Sequence, residues 1–233
     1  MQLGSGKGIF YKDGVITEIE DDVVREETVA IYYNNELITK EIASHEFLAE
    51  LGVGFVITEG ISTSIESVEV EEEAIYVTGP TQKAGALGGG SRTISSQVPV
   101  TVSPAIIEDI FAALQSDEWQ KTGGLHSSVL FRDDTFLIRC ADIGRHNSLD
   151  KVIGWAVLHN VDLRECVVGC TGRQPTGMVR KVAHAQIPVI VSRAATSTKG
   201  IEAAIKAGIT LIGFARPGTF TVYSHPERVV FHV

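Results

Sequence analysis

Cysteine is scarce in this sequence, and its scarcity excludes a disulfide-stabilised fold. The 233 residues contain three cysteines, Cys140, Cys166 and Cys170, and an odd, sparse set does not make a disulfide framework. No Cys-x-x-Cys pair is present and no His-x-Glu precedes a cysteine, which excludes a zinc centre of the deaminase type. We therefore expect buried thiols in a reducing compartment, and no metal bound directly by side chains.

Long apolar runs and an excess of basic residues are also missing. No run approaches the roughly 20 apolar residues that a membrane helix needs, and residues 1–8 lack the apolar core of a signal peptide. The formal net charge is −9, which argues against a surface for nucleic acid or for an anionic membrane. We therefore expect a cytoplasmic protein that binds neither nucleic acid nor membranes.

Alternating apolar and polar residues in the first third predict a small antiparallel sheet and one helix. Ser44 is the expected cap of the helix, which ends at Glu59 and Gly60. Residues 1–78 therefore form a β-rich N-terminal portion. The strands are predicted at residues 8–11, 15–19, 28–33, 36–39, 65–70 and 74–78.

A glycine-rich stretch at residues 85–91 separates this portion from the rest. Glycine costs backbone entropy, so residues 79–100 are expected to form a connection and not a regular element. Two interpretations stay open for it. It is either a mobile loop between two lobes or an ordered loop that lets a ligand approach the backbone.

Residues 101–233 alternate strands with helices and predict an α/β domain. A helix begins at Ser103 and Pro104. Nearly continuous β-branched strands favour a mostly parallel sheet covered on both faces. Asn147 or Ser148 is the expected cap of the helix that follows the second strand. The strands are predicted at residues 128–131, 135–140, 166–169, 189–192, 210–214 and 220–223, and the helices between them at 146–159, 175–186 and 197–207.

Polar and small residues follow four of these strands at the point where each strand ends. Parallel strands would bring the four junctions to one edge of the sheet, where α/β proteins bind their ligands. Arginine donates paired hydrogen bonds to phosphate, and glycine and hydroxyl residues add close donors. The sequence therefore predicts a pocket for a phosphorylated or nucleotide-like ligand. Its walls are residues 142–147, 171–174, 192–197 and 216–219.

His146 stands within the first of these junctions and has three possible roles. The ordinary pKa of histidine suits a general acid or base. A histidine at the start of a helix can also contact a ligand. It can instead bond to the backbone or to a neighbouring carboxylate such as Asp142. All three roles stay open, and His126 could point at the same site.

Four segments resemble the FdhD/NarQ family, the formate dehydrogenase accessory proteins. The most specific is DIGRHNSLDKVIG at residues 142–154. The others are SHEFLAELGVGFVITEGI at 44–61, TGGLHSSVL at 122–130, and a C-terminal half with Gly172-Arg173, Met178-Val179, IPVIVSRAATS at 187–197 and GITLIGFARPGTFTVYS at 208–224.

The resemblance implies a fold, a cofactor and partners. The fold is a cytidine-deaminase-like α/β/α domain in three layers, usually a homodimer. The role is to hand sulfur from a cysteine desulfurase to the molybdenum cofactor of formate dehydrogenase, and the family binds the guanine-dinucleotide form of that cofactor, with GDP as its mimic. Residues 214–219 match the family's cofactor-binding segment. The candidate cofactor contacts are therefore Phe214, Ala215, Arg216, Pro217, Gly218 and Thr219, with Arg145, His146, Arg173, Ser192 and Arg193 from the other junctions.

The family pattern places a cysteine in the loop that corresponds to residues 85–91, where this chain has Ala86 and Leu87. A persulfide relay needs an accessible thiolate, which neither side chain supplies. Three functions stay open. They are cofactor binding with sulfur transfer, transfer through a remaining thiol such as Cys140, and a cofactor-binding chaperone without chemistry of its own.

Overall fold

The computed structural model describes residues 3–80, 93–95 and 99–231, which contain three β-sheets and six α-helices. The predicted loop at residues 85–91, with Ala86 and Leu87, lies outside the described residues. Within the described part, no helix is long and apolar enough to cross a membrane.

A two-stranded hairpin begins the described chain. β1 (Gly4–Lys12) pairs antiparallel with β2 (Val15–Val23) along their whole length. Asp13 and Gly14 join them with φ angles of 49° and 86°, as a two-residue hairpin turn requires. Both strands are longer than predicted. The hairpin also forms a sheet of its own, so the prediction of a single N-terminal sheet was wrong.

The second sheet has the strand order β4-β3-β6-β5 and packs against the first helix. One face carries the buried residues Val29, Ile31 and Ile75, which contact helix α1 (Leu48–Thr58). Strands β3 and β6 pair in parallel, since a long crossover lies between them. The strands are β3 (Glu27–Tyr33), β4 (Glu36–Ala43), β5 (Ser67–Glu71) and β6 (Ala74–Thr78).

The start of α1 differs from its prediction, and its end agrees. The residue before the helix is Phe47, which has a φ of 57° and makes no side-chain cap bond. The predicted cap, Ser44, was wrong because its hydroxyl donates to the buried Asp142 carboxylate at 3.0 Å. The helix ends at Thr58, Glu59 caps it, and Gly60 follows with a φ of 72°.

The third sheet has the strand order β12-β11-β10-β9-β7-β8. The β9–β10 and β10–β11 pairs are parallel and its other pairs are antiparallel, so the predicted mostly parallel sheet is in fact mixed. The two-residue turns from β7 to β8 and from β11 to β12 allow only antiparallel pairing. The strands are β7 (His126–Arg132), β8 (Thr135–Asp142), β9 (Cys166–Cys170), β10 (Val189–Ser192), β11 (Thr210–Arg216) and β12 (Thr219–Ser224).

Helices cover both faces of this six-stranded sheet, which confirms the three-layer α/β/α prediction. One face packs against α4 (Arg145–Leu158), α5 (Thr176–His184) and α6 (Thr198–Ala207). The other face packs against α2 (Pro104–Ala113), which Ser103 caps as predicted. A short helix, α3 (Asp117–Thr122), follows α2.

Helices α1 and α4 cross with their backbones in contact. A Cβ atom on Gly54 would lie 1.8 Å from the carbonyl oxygen of Asp150. One on Gly154 would lie 1.9 Å from the carbonyl oxygen of Glu50. Both positions therefore require glycine. Through this crossing, α1 joins the four-stranded sheet to the α/β/α layers.

A buried ion pair strengthens the same junction. The Lys181 ammonium of α5 lies 2.9 Å from the Asp150 carboxylate of α4 and 2.7 Å from that of Glu59 at the end of α1. The Thr58 hydroxyl also donates to Asp150, at 2.7 Å. Three helices thus meet at one charged cluster.

Candidate functional site

Four strand ends meet at one edge of the six-stranded sheet. β8, β9, β10 and β11 run in the same direction, because the antiparallel β7 separates β8 from β9. The polar junctions that follow these strands therefore lie along the same edge, as the sequence predicted. His126, the first residue of β7, reaches this edge opposite Asp142.

Asp142 shapes the turn of the first junction. Its Oδ1 atom accepts hydrogen bonds from the Gly144 backbone N–H at 2.8 Å and from the Asn147 amide at 3.0 Å. Its Oδ2 atom accepts from the Lys151 ammonium at 2.6 Å and from the Ser44 hydroxyl at 3.0 Å. The side chains of Asp142 and Lys151 are fully buried. They hold the turn in place and are not available to a ligand.

Helix α4 begins at Arg145, and Gly144 precedes it without a side-chain cap bond. The predicted caps, Asn147 and Ser148, lie inside the helix. The Asn147 amide instead donates to the Ile42 carbonyl oxygen at 2.8 Å, a contact with the N-terminal sheet. The cap prediction was therefore wrong, because a partner distant in sequence holds this amide.

Arg145 packs against the second junction. A Cβ atom on Gly172 would lie 2.8 Å from the Cβ atom of Arg145, so this glycine makes room for the arginine. The Arg145 Nε atom is buried and has no hydrogen-bond partner in the part of the chain that the structure describes. A buried donor without a partner is costly, and an anionic ligand would satisfy it. The next predicted contact, Arg173, is exposed.

Two histidines near Arg145 are neutral at pH 7. Burial, followed by the positive charges of Arg145 and Lys181, lowers the pKa of His146 to about 4. Burial and the charges of Arg145 and Arg173 also lower the pKa of His126. A neutral imidazole can donate a hydrogen bond through one nitrogen and accept one through the other. This state suits contact with a ligand, while a catalytic role for His146 stays a prediction.

Arg193 and Arg216 supply the positive charge of the third and fourth junctions. The guanidinium carbon of Arg193 lies 4.8 Å from the ring centre of Phe111 and 5.3 Å from that of Trp119. Arg216 lies 5.8 Å from the same Phe111 ring and donates to the Arg193 carbonyl oxygen at 2.6 Å. Burial and the charge of Arg216 lower the pKa of Arg193. The aromatic faces help to hold two like charges close together, where an anion would be stabilised.

A cavity of about 350 Å³ opens beside these arginines. Trp119 and His126 line it together with Thr171, Arg193 and Arg216. Its volume falls within the range of small-molecule sites, roughly 300–1,000 Å³. A second cavity of about 280 Å³ lies elsewhere on the molecule, and none of the predicted contact residues lines it.

The predicted cofactor-binding segment spans the turn between β11 and β12. Phe214 adopts a φ of 53° and its side chain is 46% exposed. This backbone conformation is uncommon for an aromatic residue. The Phe214 N–H donates a hydrogen bond to the Ala194 carbonyl oxygen at 3.2 Å. The segment thus presents an aromatic surface and an arginine at the edge. Ala215 is buried, while Arg216, Pro217, Gly218 and Thr219 are exposed.

The side chain of Ser192, another predicted contact, is fully buried. Its hydroxyl donates to the Gly172 carbonyl oxygen at 2.8 Å and accepts from the Ala194 N–H at 3.0 Å. These bonds tie the second junction to the third. A direct contact between Ser192 and a cofactor stays a prediction.

Sequence reasoning missed the aromatic residues that contact Arg193. Phe111 lies in α2 and Trp119 in α3, and neither follows a strand, so a search of strand ends could not find them. Thr171 was assigned to a junction without a role of its own. Its hydroxyl lies 3.1 Å from His126 Nδ1 and accepts from the Ser127 N–H at 3.0 Å.

The three cysteines are buried, as predicted. Burial raises the pKa of Cys140 and of Cys166 to about 12, and that of Cys170 to about 11. Because the thiolate is the nucleophile, these thiols are unreactive near neutral pH. Across the described residues, no three His, Cys, Asp or Glu side chains are grouped so that they could hold a metal ion.

Comparison with known proteins places the chain in a family. The model of the FdhD/NarQ family matches residues 24–230, which include all four junctions. The chain belongs to this family. The resemblance of its sequence motifs to FdhD/NarQ proteins is therefore confirmed.

Two curated relatives and one solved structure are similar to this FdhD/NarQ chain over most of its length. Protein FdhD of Methanocaldococcus jannaschii is 33% identical over 208 residues, which cover 89% of this chain and 90% of that protein. Sulfur carrier protein FdhD of Methanothermobacter thermautotrophicus is 30% identical over 240 residues, which cover 95% and 96%. The crystal structure of a proposed formate dehydrogenase accessory protein from Desulfotalea psychrophila superposes with a TM-score of 0.85 at 26% identity, and the match covers 98% of this chain and 99% of that one.

Proposed function

We propose that this FdhD/NarQ protein binds the guanine-dinucleotide molybdenum cofactor at the cavity beside Arg193 and Arg216, and that it serves a formate dehydrogenase in the cytoplasm. The observation that carries the proposal is the pairing of these two arginines at the edge where four strands end. The names of its relatives, a sulfur carrier and a formate dehydrogenase accessory protein, support the choice of partner.

The residues at this edge fit a guanine dinucleotide. Arginine forks match phosphate oxygens, and the unpartnered Nε atom of Arg145 adds a buried donor. The exposed ring of Phe214 offers a face on which a base can stack. Arg193 and Arg216 would hold phosphate, and the neutral His126 and His146 would donate or accept hydrogen bonds. The bound cofactor would supply the molybdenum centre, and the chain would hold and orient it.

A calorimetric titration with GDP tests the binding site. We expect the wild-type protein to bind GDP and Arg216→Ala to bind it roughly 10- to 100-fold more weakly, because a hydrogen bond to a charged group contributes about 1.5–3 kcal/mol. The exposed Arg164, which pairs with Asp162, gives the control Arg164→Ala, which should bind like the wild type. A folded wild-type protein that does not bind GDP would refute the site.

Sulfur delivery is the second part of the proposal. The three cysteines are buried, with raised pKa values, and the chain has alanine and leucine at positions 86 and 87. We infer that the persulfide stays on a partner cysteine desulfurase and that this chain presents the cofactor to it. A chain that carried sulfur on Cys140 would need that thiol to become exposed and ionised.

Intact-mass measurement after incubation with a cysteine desulfurase and cysteine distinguishes the two routes. We expect no added sulfur on the wild-type chain, because none of its thiols forms an accessible thiolate. The variant Ala86→Cys restores a thiol to the loop and should gain sulfur, which shows that the donor is active. Sulfur added to Cys140 of the wild-type chain would support transfer through that residue instead.

A further inference from the structure

The hydroxyl of Thr171 has one proton and two neighbouring acceptors. Thr171 directly follows β9, and its Oγ1 atom accepts a hydrogen bond from the Ser127 backbone N–H at 3.0 Å. The hydroxyl proton can go to the Ser127 carbonyl oxygen, 3.4 Å away, or to the Nδ1 atom of His126, 3.1 Å away. Its choice decides which ring nitrogen of His126 carries a proton, because a neutral imidazole has only one.

The carbonyl oxygen of Ser127 is the poorer of the two acceptors. It already accepts a hydrogen bond from the Thr171 backbone N–H at 3.0 Å. A contact of 3.4 Å is also long for a hydroxyl donor, whose usual distance to an acceptor oxygen is about 2.5–3.0 Å. If Nδ1 carried the ring proton, Oγ1 would receive two donors and its own proton would have only this long contact. The geometry therefore favours a lone pair on Nδ1 and the ring proton on Nε2.

The Nε2 atom of His126 is the ring nitrogen that stays available to a ligand. His126 and Thr171 both line the proposed cofactor cavity. In the part of the chain that the structure describes, the only side-chain hydrogen bond of His126 uses Nδ1. Burial and the positive charges of Arg145 and Arg173 lower the pKa of this histidine, so that the ring is neutral at pH 7 and its single proton has a definite place.

We propose that Thr171 is a positioning residue, whose hydroxyl holds His126 in the tautomer with the proton on Nε2, and that this N–H donates to a phosphate oxygen of the bound dinucleotide. The phosphate contact rests on the proposed cofactor function, whereas the tautomer does not. Arg193 and Arg216 in the same cavity can only donate hydrogen bonds. A histidine fixed as a donor completes a site made of donors, which selects an ionised phosphate over a group that presents a proton there.

Nitrogen-15 NMR of the histidine rings reads the tautomer without any ligand. The chain has seven histidines, and the variant His126→Gln identifies the signals of His126 by their loss. In the wild type at pH 7 we expect Nδ1 to have the chemical shift of an unprotonated nitrogen and Nε2 that of a protonated one. Thr171→Ser keeps the hydroxyl and should keep both shifts. Thr171→Val should move them toward each other, because the ring then exchanges between its two tautomers.

GDP titration measures what the tautomer contributes to binding. A glutamine amide can place a donor near the position of Nε2, whereas the shorter asparagine reaches only that of Nδ1. We expect His126→Gln to bind GDP nearly as tightly as the wild type, and His126→Asn to bind it about 10-fold more weakly for the loss of one hydrogen bond. Thr171→Val should bind about threefold more weakly, because only the fraction of rings with the proton on Nε2 is competent.

The matched control for Thr171→Val is Thr135→Val. Thr135 is exposed at the start of β8, at the edge of the sheet opposite the cavity, so this variant should bind GDP like the wild type. A wild-type ring with its proton on Nδ1, or a Thr171→Val ring with the wild-type shifts, would overturn the inference even if GDP binds. Equal GDP affinities of His126→Asn and His126→Gln would overturn the phosphate contact. A wild type that does not bind GDP would refute the cofactor proposal together with that contact, while the NMR shifts would still decide the tautomer.

Discussion

Replacing Gly154 with alanine is expected to destabilise the protein by about 3 kcal/mol or more, the upper end of the cost of overpacking. The added methyl group would lie 1.9 Å from the Glu50 carbonyl oxygen and also close to the backbone of Gly54. Backbone cannot turn away as a side chain can, so α1 and α4 would have to separate. Urea denaturation, followed by circular dichroism, measures the loss.

A glycine elsewhere in a helix provides the matched control. A Cβ atom on Gly177 of α5 would have its nearest neighbour, His146 Nε2, at 3.9 Å. Gly177→Ala should therefore leave stability unchanged or raise it by up to about 1 kcal/mol, because alanine favours helix. Gly54→Ala should behave like Gly154→Ala. Equal urea midpoints for Gly154→Ala and the wild type would mean that the two helices do not cross so closely.

Replacing Lys151 with methionine is expected to cost about 3–5 kcal/mol, the usual effect of removing one partner of a buried ion pair. The Asp142 carboxylate would keep its bonds to Gly144 and Asn147 but would lose the ammonium 2.6 Å away. An uncompensated buried charge would then remain at the turn that precedes Arg145. Thermal and urea unfolding measure the loss of stability.

A double-mutant cycle separates the ion pair from the packing of the lysine chain. Asp142→Asn combined with Lys151→Met should cost less than the sum of the two single changes, because neither charge is left alone. The exposed Lys206→Met gives a control with the same change of side chain. Additive losses in the cycle would indicate that the two groups act independently.

Local patterns in the sequence predicted the strands and helices well, but not the contacts between distant segments. Alternating and continuous apolar runs located all six strands of the large sheet. The mixed pairing depends on short turns such as the one at Asp133 and Asp134, whose φ angles are 48° and 60°. The caps at Ser44 and Asn147 were mispredicted, since both side chains bond to groups roughly a hundred positions away or more. Such partners leave no local signal.

The sequence predicted the site residues that come at strand ends, but not the site residues that lie on helices. Arg145, Arg193 and Arg216 each come at a strand end, so topology alone brings them to one edge. Phe111 and Trp119 reach Arg193 from α2 and α3. Their approach depends on how the helices pack against the sheet, which periodicity does not specify.

The neighbouring residues Asp150 and Lys151 affect how the chain folds and unfolds. Asp150 binds Thr58 of α1 and Lys181 of α5, whereas Lys151 binds Asp142 and Ser44. One turn of α4 therefore anchors both the N-terminal sheet and the strand-end turn of the α/β layers. Opening either contact would leave a charge buried and unpaired. We therefore expect the two parts of the molecule to unfold together, because separating them would break both buried ion pairs.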